Sequence, residues 1–157
     1  MLSLEDTIHE LNDLIQICKD GEQGYQTAAD NVQNTELETM FRGYAKQRAG
    51  FARELQAEVE RLGGKPAESG NVGAAIHRGW MNLKAGLSGG DPGAAIAACE
   101  SGDDSALAAY DRVANTEMTG KSRALVEKQF QQVKETHTRL VRLKVEVEDG
   151  TRFPKNK

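Results

Sequence analysis

The chain is poor in the residues that build disulfide frameworks, sheets and membrane anchors. Its 157 residues include two cysteines, three prolines and only 5% aromatic side chains. Two cysteines form no disulfide framework, and scarce aromatics disfavour a sheet. No apolar stretch approaches the length that spans a membrane, and the first residues lack the basic and apolar segments of a signal peptide. These absences predict an all-α, cytoplasmic protein without a membrane segment.

Positive charge is not in excess either. Lys and Arg total 20 against 24 Asp and Glu, a formal net charge of −4, which disfavours a basic nucleic-acid-binding domain. The length is that of one domain able to bury a core without disulfides or a structural metal. We assign residues 1–150 to this domain and residues 151–157 to a flexible basic tail. Cys18 and Cys99 lie in apolar helical patterns and are predicted to be buried and unpaired.

Apolar residues spaced alternately by three and four predict four long helices, over about 3–32, 36–62, 92–114 and 120–148. Ser3 and Thr35 are the predicted N-caps of the first two, and Asp91 followed by Pro92 begins the third. A short helix over about 71–87 is predicted within the long connection between the second and third. The fourth helix is expected to bury a stripe of six residues: Val126, Phe130, Val133, His137, Val141 and Lys144.

An internal repeat relates the two halves of the chain. Residues 15–37 shifted by 81 positions fall on 96–118, and nine of these 23 pairs are identical, among them Cys18/Cys99 and Gly21/Gly102. Glu22 falls on Asp103. Two similar helical hairpins joined by a long crossover predict a ferritin-like four-helix bundle.

Four stretches carry a resemblance to a known family: residues 11–15 (LNDLI), 18–22 (CKDGE), 61–64 (RLGG) and 77–84 (HRGWMNLK). They resemble an uncharacterised bacterial four-helix-bundle family, a domain of unknown function placed in the ferritin-like superfamily. The resemblance spans most of residues 4–145. It implies a fold and no established activity.

Ferritin-like di-iron sites take a Glu from each of two helices and a Glu-x-x-His pair from each of the other two. On this template the first and third helices supply Glu22 and Asp103. The Glu-x-x-His positions fall on Arg48 with Phe51 and on Lys134 with His137. Glu22, Asp103 and His137 are therefore the candidate metal ligands, whereas Arg48 and Lys134 stand where carboxylates are expected.

Two hypotheses follow from this substitution. In the first, Arg48 and Lys134 neutralise Glu22 and Asp103 as core ion pairs. The protein is then expected to be a non-enzymatic bundle without a cofactor. It would act by forming a homo-oligomer or by binding a protein partner, with a role in stress physiology.

The alternative is a metal-carboxylate protein that handles iron or peroxide through Glu22, Asp103 and His137. A register shift would let further carboxylates contribute to such a site, namely Glu54, Glu100 and Glu135. A third possibility is a small-ligand binder that uses the bundle core.

Overall fold

Four long helices form the bundle. The computed structural model describes residues 1–68, 80, 83 and 87–153. The helices are α1 (Leu4–Asn31), α2 (Thr35–Arg61), α3 (Pro92–Ala114) and α4 (Gly120–Glu148). Each begins and ends within one residue of its predicted bounds, and the described ranges contain no strand. The predicted all-α fold is confirmed.

Side-chain caps fix where the helices begin. The Ser3 hydroxyl accepts a hydrogen bond from the Asp6 amide (3.0 Å), and the Asp91 carboxylate accepts one from the Ala94 amide (2.9 Å). The predicted cap of α2 is wrong by one residue. Asn34, not Thr35, caps this helix, because its side-chain oxygen accepts from an amide of the first turn.

The helices pack as two antiparallel hairpins. α1 packs against α2 and α3, α3 packs against α4, and α2 and α4 are the most loosely packed neighbours. α1 runs antiparallel to α3, and α2 runs antiparallel to α4. The contacts that establish these directions are Cys18–Tyr110, Tyr25–Asp103, Glu58–Ser122 and Phe51–Gln129.

The described parts of the crossover follow α1. Near its start, the Asn12 side chain donates to the Lys65 carbonyl (3.1 Å) and accepts from the Ala67 amide (2.8 Å). Near its end, the Gly90 carbonyl accepts from the Gln33 amide (3.1 Å). The two described ends of the connection therefore lie beside α1, the first near its start and the second at its end, close to where α3 begins.

Trp80, in the crossover, packs directly against two glycines of the bundle, Gly24 of α1 and Gly102 of α3. A Cβ added to Gly24 would lie 2.2 Å from the indole, and one added to Gly102 would lie 2.4 Å from it. The indole also meets the Tyr25 ring edge-on, with centroids 5.2 Å apart. Most of the predicted helix over 71–87 lies outside the described residues, although Trp80 and Leu83 are helical.

The core consists of two apolar clusters at opposite ends of the bundle. One cluster includes α1 side chains from Leu11 to Cys18, and the other includes those from Tyr25 to Ala29 together with Val32, the residue after α1. Both cysteines are buried and free, as predicted. The level between the clusters carries buried polar groups, among them Arg48 and Asp103.

The predicted buried stripe of α4 is rotated relative to the observed one. Val126 and Val133 are buried, but Val141 is 37% exposed, and Phe130, His137 and Lys144 are only half-buried. Polar residues occupy core positions instead, because each of them has a hydrogen-bond partner. The buried residues of α4 are Ser122, Val126, Gln129, Val133, Thr136, Leu140 and Leu143.

The chain after α4 turns back onto the bundle. Arg152 forms an ion pair with Glu36 near the start of α2 (2.8 Å), and Phe153 packs against the second apolar cluster. Residues 154–157 lie outside the described part, so the flexible tail remains a prediction. Across the described residues, no helix is long and apolar enough to cross a membrane.

Candidate functional site

A buried ion pair occupies the middle of the bundle. Arg48 on α2 and Asp103 on α3 are both 0% exposed. Nη1 of the guanidinium contacts Oδ1 of the carboxylate, and Nη2 contacts Oδ2 at 2.9 Å. This is the two-pronged geometry in which arginine binds carboxylates most strongly. The ion pair joins the two hairpins at their centre.

Neighbouring side chains complete the hydrogen bonding of this pair. The Tyr25 hydroxyl donates to Oδ2 of Asp103 (2.8 Å), and the Tyr25 ring lies 5.6 Å from the guanidinium carbon. Nε of Arg48 donates to the side-chain oxygen of Gln47 (3.2 Å). Both buried charges are thus paired and hydrogen-bonded, the condition under which a low-dielectric interior tolerates them.

The protonation states follow from the same contacts. Burial is the largest influence on the pKa of Arg48 and lowers it, but the Asp103 carboxylate, together with Tyr25 and Cys18, outweighs burial and the net shift is upward. Burial, reinforced by the negative charge of Asp103, raises the pKa of Tyr25 well above its usual value. Arg48 therefore stays a cation and Tyr25 stays a neutral hydrogen-bond donor.

A second buried network lies next to this pair. The Tyr110 hydroxyl donates to the Gln129 side-chain oxygen (2.7 Å) and lies 3.1 Å from the Cys18 sulfur, so the thiol is the donor of that contact. The side-chain nitrogen of Gln129 donates hydrogen bonds to the Phe51 carbonyl (3.3 Å) and to the Glu54 carboxylate (3.2 Å). Burial raises the pKa of Cys18 to about 11. The thiol is protonated at neutral pH and unsuited to act as a nucleophile.

The other sequence-predicted site residues are not gathered around Asp103. Glu22 is only half-buried. His137 is half-buried, and its Nδ1 lies 3.5 Å from Asp104. Lys134, predicted to form a core ion pair, is instead exposed, with Nζ 4.3 Å from the centroid of the Phe130 ring.

The residues at this level do not fit a ferritin-like metal centre. No group of three or more His, Cys, Asp or Glu that could hold an ion occurs among the described residues, so Glu22, Asp103 and His137 do not form one. Arg48 stands where the template expects the glutamate of a Glu-x-x-His pair, and its charge repels a cation. The other carboxylates considered do not replace the missing ligands: Glu54 accepts from Gln129, Glu100 pairs with Lys144 (3.4 Å) and Glu135 is exposed.

The two halves of the repeat differ most at this level. Tyr25 of α1 supplies a hydroxyl to Asp103, whereas its repeat-equivalent on α3 is Ala106, which supplies none. Asp103 is consequently enclosed by Arg48 and Tyr25, and the equivalent Glu22 is half-exposed. The Tyr25/Ala106 exchange is the sequence signal that could have predicted which of the two carboxylates is enclosed.

The fold has a counterpart among solved structures. A bacterioferritin-related protein from Bacteroides fragilis, described as a dodecameric thioferritin in the bacterial domain, superposes with a TM-score of 0.75 at 15% sequence identity. The match covers 98% of this chain and 94% of the other. At this identity the likeness establishes the ferritin-like fold alone.

Sequence comparison points to a family defined without an activity. No curated protein matches the chain significantly. The family model described as a domain of unknown function, DUF2383, matches residues 6–116 and so takes in α1, α2, the crossover and α3. The chain therefore belongs to the DUF2383 family and has the ferritin-like four-helix fold.

Proposed function

We propose that this protein is a non-enzymatic ferritin-like bundle in which a core ion pair has replaced the metal centre, and that it acts by self-association or by binding a protein partner. The observation that carries the proposal is the buried Arg48–Asp103 pair. Its guanidinium neutralises a carboxylate that in a metal-binding relative would be neutralised by cations. A role in stress physiology stays a prediction.

Self-association is supported by two separate observations. The Bacteroides protein with the same fold is described as dodecameric, which supports assembly of this chain. On α4, Val141 and Val145 are 37% and 54% exposed. They lie four residues apart, so they share one helix face, and such an apolar surface is suited to packing against a second molecule.

Sedimentation velocity tests the assembly part of the proposal. We expect the wild type to sediment as an oligomer and a Val141→Lys/Val145→Lys variant to sediment as a smaller species with unchanged helicity. Arg123→Gln, an exposed substitution elsewhere on α4, is the matched control and should leave the oligomer intact. A wild type that is monomeric at all concentrations would overturn self-association and leave partner binding.

Elemental analysis tests the replacement of the metal centre. Protein expressed in iron-supplemented medium and purified without chelator should contain far less than one metal ion per chain. One or two iron atoms per chain would contradict the proposal and favour the alternative, a metal-carboxylate protein that handles iron or peroxide.

A further inference from the structure

A wide groove separates α2 from α4. It opens because these two helices are the most loosely packed neighbours in the bundle. Its volume is about 730 Å³, within the range of small-molecule sites. Tyr44 and Gln47 line the α2 side, and Arg139 and Arg142 line the α4 side. The groove is therefore large enough for a metabolite and is bordered by hydrogen-bond donors.

The charge of the groove is opposite to that of the chain. Its lining carries four basic residues and two acidic ones, whereas the protein has a net charge of −4. Arg152 is neutralised by Glu36 (2.8 Å) and lies 3.8 Å from Glu146. Arg139 and Arg142 are exposed, and neither has an ion-pair partner in the described part of the chain. The fourth cation, Lys134, lies with Nζ 4.3 Å from the centroid of the Phe130 ring. The two guanidinium groups are therefore the cations of the lining that have neither an ion-pair nor an aromatic partner among the described residues.

The donors face one another across the opening. Arg139 and Arg142 lie three residues apart and so share a face of α4, as Tyr44 and Gln47 share a face of α2. Arg139 is close enough to Tyr44 for its charge to oppose the rise in the pKa of that hydroxyl caused by burial. Gln47 accepts from Nε of Arg48 through its oxygen (3.2 Å), which leaves its amide N–H groups as donors for the groove.

We propose that the groove between α2 and α4 binds a small phosphorylated metabolite, with Arg139 and Arg142 on its phosphate oxygens and Tyr44 and Gln47 as neutral donors. Each guanidinium presents several N–H groups in a rigid fork that matches an oxyanion. Two forks and two neutral donors suit a group with several charged oxygens better than a single carboxylate. The proposal does not rest on the core ion pair.

Titration calorimetry with inorganic pyrophosphate tests this proposal on the full-length protein. We expect saturable binding at one site per chain that weakens as the salt concentration rises. In an Arg139→Gln/Arg142→Gln variant the affinity should fall by about tenfold or more, the effect of losing charge-assisted hydrogen bonds. Both residues are exposed, so the variant should retain its helicity.

The matched control is Arg53→Gln, because Arg53 is an exposed arginine on α2 that does not line the groove. It should bind pyrophosphate as the wild type does. No saturable binding by the wild type, or an equal loss in both variants, would overturn the site. A preference for a single-stranded oligonucleotide over both pyrophosphate and a nucleoside triphosphate would overturn the assignment to a small metabolite.

Discussion

Removing one partner of the buried ion pair should have a large and specific effect on stability. Arg48→Met keeps much of the side-chain length but removes the charge. Asp103, which is 0% exposed, then keeps the Tyr25 hydroxyl (2.8 Å) and loses both guanidinium contacts. A buried carboxylate left without its cation costs about 3–5 kcal/mol, a large share of a typical domain stability of about 5–15 kcal/mol.

Removing both charges should cost much less than the two single changes added together. Asp103→Leu alone strands the Arg48 guanidinium and should also cost about 3–5 kcal/mol. In Arg48→Met/Asp103→Leu the main remaining defect is the buried Tyr25 hydroxyl, an unpaired group that costs about 1–3 kcal/mol. The double variant should therefore be more stable than either single variant. Adding Tyr25→Phe should recover part of the stability that the double variant still lacks relative to the wild type.

Urea denaturation followed by far-UV circular dichroism measures these differences. A cycle of wild type, two single variants and the double variant isolates the coupling between the charges. Should a single variant not fold, Arg48→Lys keeps the charge but loses the two-pronged contact and gives a smaller, measurable loss. Single variants that each cost under about 1 kcal/mol and add without coupling would show that this is a weak surface-type ion pair.

Two further predictions concern the crossover and the buried thiol. Gly102→Ala places a methyl group 2.4 Å from the indole of Trp80, so the emission of this single tryptophan should shift to longer wavelength. Gly43→Ala, with no atom within 4 Å of the new carbon, should leave the emission unchanged and stabilise α2 by up to about 1 kcal/mol. The pKa of Cys18 is raised from 9.0 to about 11, so its contribution to folding is fully present below pH 9 and is lost as the pH rises through 11. The free energy of unfolding lost in this way is up to about 3 kcal/mol. Between pH 9 and pH 11 the urea midpoint of Cys18→Ala should therefore fall less steeply than that of the wild type. An equally steep fall in both proteins would refute the raised pKa of Cys18.

The helices were predictable from the sequence because their start and stop signals are local. Asp91 before Pro92 caps α3 as expected. At the end of α2, Gly63 has a positive φ of 85°, and the Gly64 amide reaches back to the Val59 carbonyl (2.9 Å). Such signals depend on a few neighbouring residues. They fix helix bounds without knowledge of the tertiary structure.

The buried face of α4 was harder to predict, because some of its buried residues are polar and a search for apolar residues selects a neighbouring face. Gln129 lies in the core since Tyr110 and the Phe51 carbonyl satisfy its amide, and these partners come from distant segments. Counting apolar residues selects Phe130 and Val141 instead, and this one-position rotation also placed His137 in the core, where the Glu-x-x-His spacing then put Lys134 as well. The error arises wherever a polar side chain finds its partner through tertiary contacts.

The repeat carried more information about the site than the hydrophobic pattern did. It aligned Glu22 with Asp103, and the Glu-x-x-His template then placed Arg48 as a cation opposite them. It could not show that only one of the two carboxylates would be enclosed, because that depends on the hydroxyl that Tyr25 contributes. Pseudo-symmetry predicts equivalent positions, and the side chains around each position decide its burial.

The melting temperature measured with and without a strong chelator tests the central claim most directly. If the Arg48–Asp103 ion pair has replaced the metal centre, chelator should leave the melting temperature of the wild type unchanged, whereas Arg48→Met should lower it in either buffer. A metal that binds the native state would stabilise it by mass action. A large fall in the wild-type melting temperature on chelation would therefore contradict the account.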